Sequence, residues 1–123
     1  MKVAVTASSP TMDAFVEPRF GRTAYFVIVD TETMECEGVT NDAASASGGA
    51  GIQAAQRVAD TGATVVLTGN CGPNAFRTLT AAGIEVVVGV LGMTVRTAVE
   101  RLKSGELVPT DSANVGSKFG AGI

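Results

Sequence analysis

Three short stretches of this chain combine glycine with groups that bind anions. Residues 18–22 read Pro-Arg-Phe-Gly-Arg, so Arg19 and Arg22 flank Gly21. A guanidinium stays charged at any working pH and offers a rigid fork of donors, while a glycine lets the backbone approach what they hold. Residues 47–51 read Ser-Gly-Gly-Ala-Gly and run into a helical pattern. Backbone amides at a helix N-terminus, with no side chains in the way, form an anion site. Residues 69–74 read Gly-Asn-Cys-Gly-Pro-Asn. There the proline suits a first helical turn, a neighbouring asparagine caps it, and the free amides point outward. Cys71 lies at the tip of that loop, where the helix N-terminus is expected to lower its thiol pKa. Each stretch also has a plainer reading: solvated arginines, a glycine-rich turn without a ligand, and a turn around a small buried cysteine. Gly49-x-Gly51-x-x-Ala54 fits a relaxed dinucleotide pattern, but its preceding strand lies several residues upstream and no acid stands where a ribose partner is expected.

Much other chemistry is excluded. The chain has no histidine, which removes the Ser-His-Asp triad, the Cys-His pair and the His-Glu-x-x-His zinc helix. Asp13, Asp30, Asp42, Asp60 and Asp111 are scattered, and neither the first nor the fourth expected strand carries an acid. A two-metal nuclease would need carboxylates there. Cys36 and Cys71 stand 35 residues apart with no Cys-x-x-Cys pairing, so neither a disulfide framework nor a four-thiolate zinc site is expected, and Cys36 reads as plain packing. A net charge of −3 and a pI near 4.8 speak against a general nucleic-acid binder. The longest apolar run, residues 86–93, is eight residues, far short of a membrane span, and the N-terminus lacks a signal-peptide apolar region. The expectation is a soluble, cytoplasmic protein.

The 123 residues make one domain, and 46% apolar against 17% charged residues argues for a packed core. Strands are expected over 2–7, 24–30, 36–40, 64–68 and 84–88, and helices from 52 to Gly62, over 75–82, and from a Thr94 cap towards Gly105. In the first helix Ile52, Ala55 and Ala59 share the expected inner face, and in the second Phe76 and Leu79 do. The order β-β-β-α-β-α-β-α, with right-handed crossovers, predicts an α/β fold with a five-stranded mixed sheet ordered 3-2-1-4-5, only the second strand antiparallel. That is the ribonuclease-H-like arrangement. Its carboxyl edge, where the strand order reverses, is where open α/β sheets bind ligands, and all three loops emerge there. Residues 1–108 form the domain and 109–123 a polar, Gly-rich tail expected to be mobile.

Pro-Arg-Phe-Gly-Arg at 18–22, Tyr25-Phe26 with Val29-Asp30, Gly49-Ala50-Gly51 with Gln53-Ala54-Ala55, and Gly69-Asn70-x-Gly72-Pro73-Asn74-Ala75-Phe76 resemble the dinitrogenase iron–molybdenum cofactor biosynthesis family over residues 1–108. The resemblance implies a non-enzymatic domain that binds a sulfide cluster of molybdenum with iron or copper. It also implies metallocofactor assembly or acceptor proteins as partners; the charge and the short apolar run lead to the expectation of no nucleic acid and no membrane, and the exposed third strand leaves a monomer or weak homodimer open. By matching position it implies a binding set of Arg19, Phe20, Gly21 and Arg22, then Gly49 and Gly51, then Asn70, Gly72, Pro73 and Asn74. Relatives often carry a histidine just before Phe-Gly-Arg. This chain has Arg19 there, which puts imidazole ligation out of reach.

Residues and resemblance point to one expectation: an anionic, soft cluster held by amides, Arg19 and Arg22, with Cys71 as a candidate thiolate ligand to copper or iron. Two other classes use the same edge. One is a binding protein or enzyme for a small organic anion such as a nucleotide. The other is a ligand-free regulatory domain that docks on a partner.

Overall fold

A computed structural model describes residues 1–45, 48–111 and 113. The apolar runs form strands β1 (Lys2–Ala7), β2 (Tyr25–Asp30), β3 (Cys36–Thr40), β4 (Val65–Leu67) and β5 (Glu85–Val87). Helices α1 (Ala50–Asp60), α2 (Pro73–Ala81) and α3 (Val95–Lys103) alternate with the later strands, and short 3-10 turns occupy Phe20–Arg22 and Asp42–Ser45. The sheet runs β3-β2-β1-β4-β5. β2 is antiparallel to both neighbours, and β1, β4 and β5 are parallel, as the connection lengths required.

Successive side chains of a strand point to opposite faces, so a central strand supplies two cores. Val3, Val5, Val27, Val29 and Leu67 pack on one face with Val95, Ala98 and Val99 of α3. Ala4, Phe26, Ile28 and Val66 pack on the other with Ala54, Ala55 and Val58 of α1 and Leu79 of α2. Leu79 is fully buried, and hiding a side chain of that size stabilises the fold by roughly 1.5–3 kcal/mol. Met12 is buried, and Met34 and Met93 pack against the first core, so the methionines fill gaps in it. α3 begins with Thr94, whose side chain accepts from the Thr97 amide.

Three expectations are corrected. α1 begins at Ala50, and its buried residues are Ala50, Ala54, Ala55 and Val58, while Ile52 is 38% exposed and Ala59 is exposed. Phe76 is only partly buried at the margin of its core, while Leu79 is inside. Cys36 is exposed, not packed, because β3 is an outer strand with little covering it. Beyond residue 108, the Thr110 amide donates to the Val86 carbonyl at 2.7 Å, bridging the chain to β5. The rest of the expected mobile tail, apart from Asp111 and Ala113, lies outside the described residues.

Candidate anion-binding site

The sheet register brings the three loops together. Ala7, the last residue of β1, pairs with Tyr25, the first of β2, so residues 18–24 lie at the carboxyl end of β1. Tyr25 also pairs with Thr40, which returns β3 to the same edge and starts the connection to α1 there. β4 is parallel to β1 and ends at that edge, delivering the loop into α2.

Backbone contacts then fix the loops on each other. The Phe20 amide donates to the Asn70 carbonyl at 3.1 Å, and the Asn70 amide to the Pro18 carbonyl at 2.6 Å. Gly21 lies against Gly51: a Cβ on Gly21 would fall 3.2 Å from the Gly51 Cα and amide nitrogen. A Cβ on Gly51 would fall 3.2 Å from the Cβ of Ala75. This ladder of small residues lets the 18–22 loop, α1 and α2 converge.

Between them lies a hollow of about 360 Å³. Arg19, Phe20, Gly21, Gly49, Gly51, Asn70, Gly72, Pro73 and Asn74 line it, joined by Ala50, Ile52 and Ala75. The first turn of a helix carries amides with no intrahelical acceptor. At α1 the cap is Gly49, held at φ +72°, and at α2 it is Gly72; neither helix has a side-chain cap or an acid in its first turn. The amides of Ala50, Gly51 and Ile52, and of Asn74 and Ala75, therefore belong to two bare N-termini that open on one space. The expectation that an asparagine caps α2 is corrected, since no side chain does. Each N-terminus carries roughly half a positive charge, so with the Arg19 guanidinium the hollow offers about two. Among the described residues its lining contains no carboxylate. A larger groove of about 520 Å³, beside Phe76, Ile84 and Thr110, is lined by Glu85 and Asp111 and has the wrong sign for an anion.

Phe20 lines the hollow yet is 2% exposed, its ring packed on Phe26 with centroids 5.5 Å apart. Two candidates lie elsewhere than expected. Arg22 does not line the hollow; its Nη1 donates to the Ala44 carbonyl at 2.9 Å, tying the two 3-10 turns together. Cys71 is 1% exposed within the second core, its Sγ 3.7 Å from the Gly72 carbonyl. Burial pushes its thiol up to about 12, opposite to the lowering expected from the helix N-terminus. Among the described residues no group of three or more His, Cys, Asp or Glu is placed to hold a metal ion.

Sequence reasoning missed Asn41. Its Nδ2 donates to the carbonyls of Thr23 at 2.9 Å and Gly21 at 3.4 Å, and its Oδ1 accepts from the Ala43 amide at 3.2 Å. This buried amide anchors Gly21 from below, and its one signal was an Asn just past a strand, where Asx turns form. Ala75 gave no signal, since only its small size matters.

The family model described as dinitrogenase iron-molybdenum cofactor matches residues 1–105. The chain belongs to that family. Among solved structures, the apo form of the orange protein from Desulfovibrio gigas is 49% identical, with a TM-score of 0.90 over 92% of this chain and 95% of that one. A putative NifB protein from Thermotoga is 35% identical, with a TM-score of 0.76 over 88% of this chain and 91% of that one. No curated protein matches. This member of the iron–molybdenum cofactor family thus has the five-stranded fold expected of it, and among its described residues no helix is long and apolar enough to cross a membrane.

Proposed function

We propose that the protein is a non-catalytic cytoplasmic carrier that binds an anionic sulfide cluster of molybdenum, with iron or copper, in this hollow and passes it to acceptor proteins of metallocofactor assembly. One observation carries the reading: among the described residues, two helix N-termini without side-chain caps converge with Arg19 on a space whose lining holds no carboxylate. Thiometallate clusters are anionic, and their sulfur surfaces accept weak hydrogen bonds, which suits outward amides and a guanidinium. The residues fit a cluster held as a whole anion. They do not fit one ligated by side chains, because Cys71 is buried as a neutral thiol and no histidine exists. Holding without strong ligation suits a carrier, which must let its cargo go. The family match and the orange protein's 49% identity support this choice of cargo over an organic anion.

Reconstitution tests the reading. Apo-protein mixed with tetrathiomolybdate and copper, or with iron–molybdenum cofactor, is expected to retain charge-transfer absorption through gel filtration. A colourless protein fraction from every mixture would overturn carriage. A large thermal stabilisation by a nucleotide, with none from thiometallate, would replace it with organic-anion binding.

A further inference from the structure

Asn74 lines the hollow at the second position of α2, and one turn further along Arg77 reaches back to it. Arg77 Nη2 donates to Asn74 Oδ1 at 2.5 Å. A guanidinium has only donors, so of the two ends of the Asn74 amide only the oxygen can face it. The assignment of oxygen and nitrogen, ordinarily ambiguous for an asparagine, is settled here by the chemistry of the partner. Arg77 makes no ion pair among the described residues, so no carboxylate competes for its fork. We infer that Arg77 is a positioning residue: by holding Oδ1 it leaves the Nδ2 hydrogens as the end of Asn74 offered to the hollow, turning an ambivalent amide into a pure donor for an anion.

The inference deepens the carrier reading and rests on it for the identity of the anion. With the amide reversed, its negative end would meet the cargo, so the orientation decides whether Asn74 attracts or repels. Polarisation by the guanidinium also makes the Nδ2 hydrogens better donors.

The test uses the whole chain, labelled with nitrogen-15, and tetrathiomolybdate as the probe. In the apo-protein, Arg77→Ala is expected to move the side-chain NH2 resonances of Asn74, and Arg77→Lys, which also only donates, to leave them near their original place. On titration, Arg77→Ala should weaken binding about fivefold, the size of one ordinary net hydrogen bond, and Arg77→Lys should restore it to within about twofold. Arg77→Glu should weaken binding about tenfold or more, because its carboxylate recruits Nδ2 and turns Oδ1 outward. In an Asn74→Ala background, Arg77→Ala should add less than about twofold. The inference is overturned if the apo resonances ignore Arg77→Ala, or if the loss is equally large without Asn74, which would mark a general charge effect. If wild-type protein binds no tetrathiomolybdate while the apo resonances respond as expected, the orientation stands and the carrier reading falls.

Discussion

Gly21 and Gly51 touch where the 18–22 loop meets α1, close enough that a Cβ on the first would stand 3.2 Å from the Cα of the second. Neither glycine has a left-handed φ, so it is space and not backbone conformation that demands them. Gly72 is the contrast. Its φ of −75° suits any residue, and a Cβ there would meet nothing within 4 Å.

These two sites should therefore respond oppositely. Gly21→Ala is expected to destabilise the fold by about 1 kcal/mol, an overpacking cost partly offset by the stiffer unfolded chain. Gly72→Ala is expected to leave stability within about 0.5 kcal/mol of wild type, yet to weaken thiometallate binding by placing a methyl group at the mouth of α2. Urea melts and spectrophotometric titrations of both variants check this. A Gly72→Ala protein that binds normally would show that cargo does not approach this cap.

The two cysteines make a second test. At pH 8 a thiol-modifying reagent should label the exposed Cys36 quickly and Cys71 only as the protein unfolds. Cys71 ionises at about 12 when folded, against an ordinary value of 9.0. A raised folded pKa favours the native state fully below the unfolded value and progressively less above it. Its contribution should thus be intact below pH 9 and decline from there towards 12, and Cys71→Ala should flatten that decline. Measured stability from pH 7 to 11 in both proteins decides it.

Arg19 and Arg22 should separate as well. Arg19→Ala removes the one charged side chain among the described residues of the hollow, so it should weaken thiometallate retention about tenfold at low salt and less at high salt. Arg22→Ala should act through the Ala44 tether, with a smaller, salt-independent loss of binding and about 0.5–1 kcal/mol of stability. Equal losses with equal salt slopes would mean both guanidiniums face the cargo.

The sheet could be read from the sequence because β-branched runs and connection lengths leave few alternatives. The strand between residues 24 and 30 and its short link to the next forced an antiparallel pair, and the later crossovers forced parallel ones. The inner face of α1 was less legible. Alanines occupy both faces of that helix, so the period depends on Ile52 and Val58, and the larger of the two faces out. Side-chain direction within loops was not legible at all. The loop tip that seemed to present Cys71 folds it beneath the hollow, and Arg22 turns to Ala44, because loop conformation is settled by tertiary contacts such as the Asn70–Pro18 bond. The glycines of the hollow were visible as letters; that Gly21 and Gly51 serve packing while Gly49 serves a left-handed turn needed coordinates.

Among the described residues, what the hollow offers an anion is the backbone amides of two helix N-termini together with the side chains of Arg19, Asn74 and Asn70, the last with its backbone spent on the neighbouring loop. Replacing one residue by another leaves a peptide N–H in place, so alanine scanning is nearly blind to such a surface. Ester linkages installed at residues 51 or 75, which delete a single N–H and keep the side chain, are the perturbation it would feel. A chain whose grip lies in its spine can exchange many of its letters and still hold the same object.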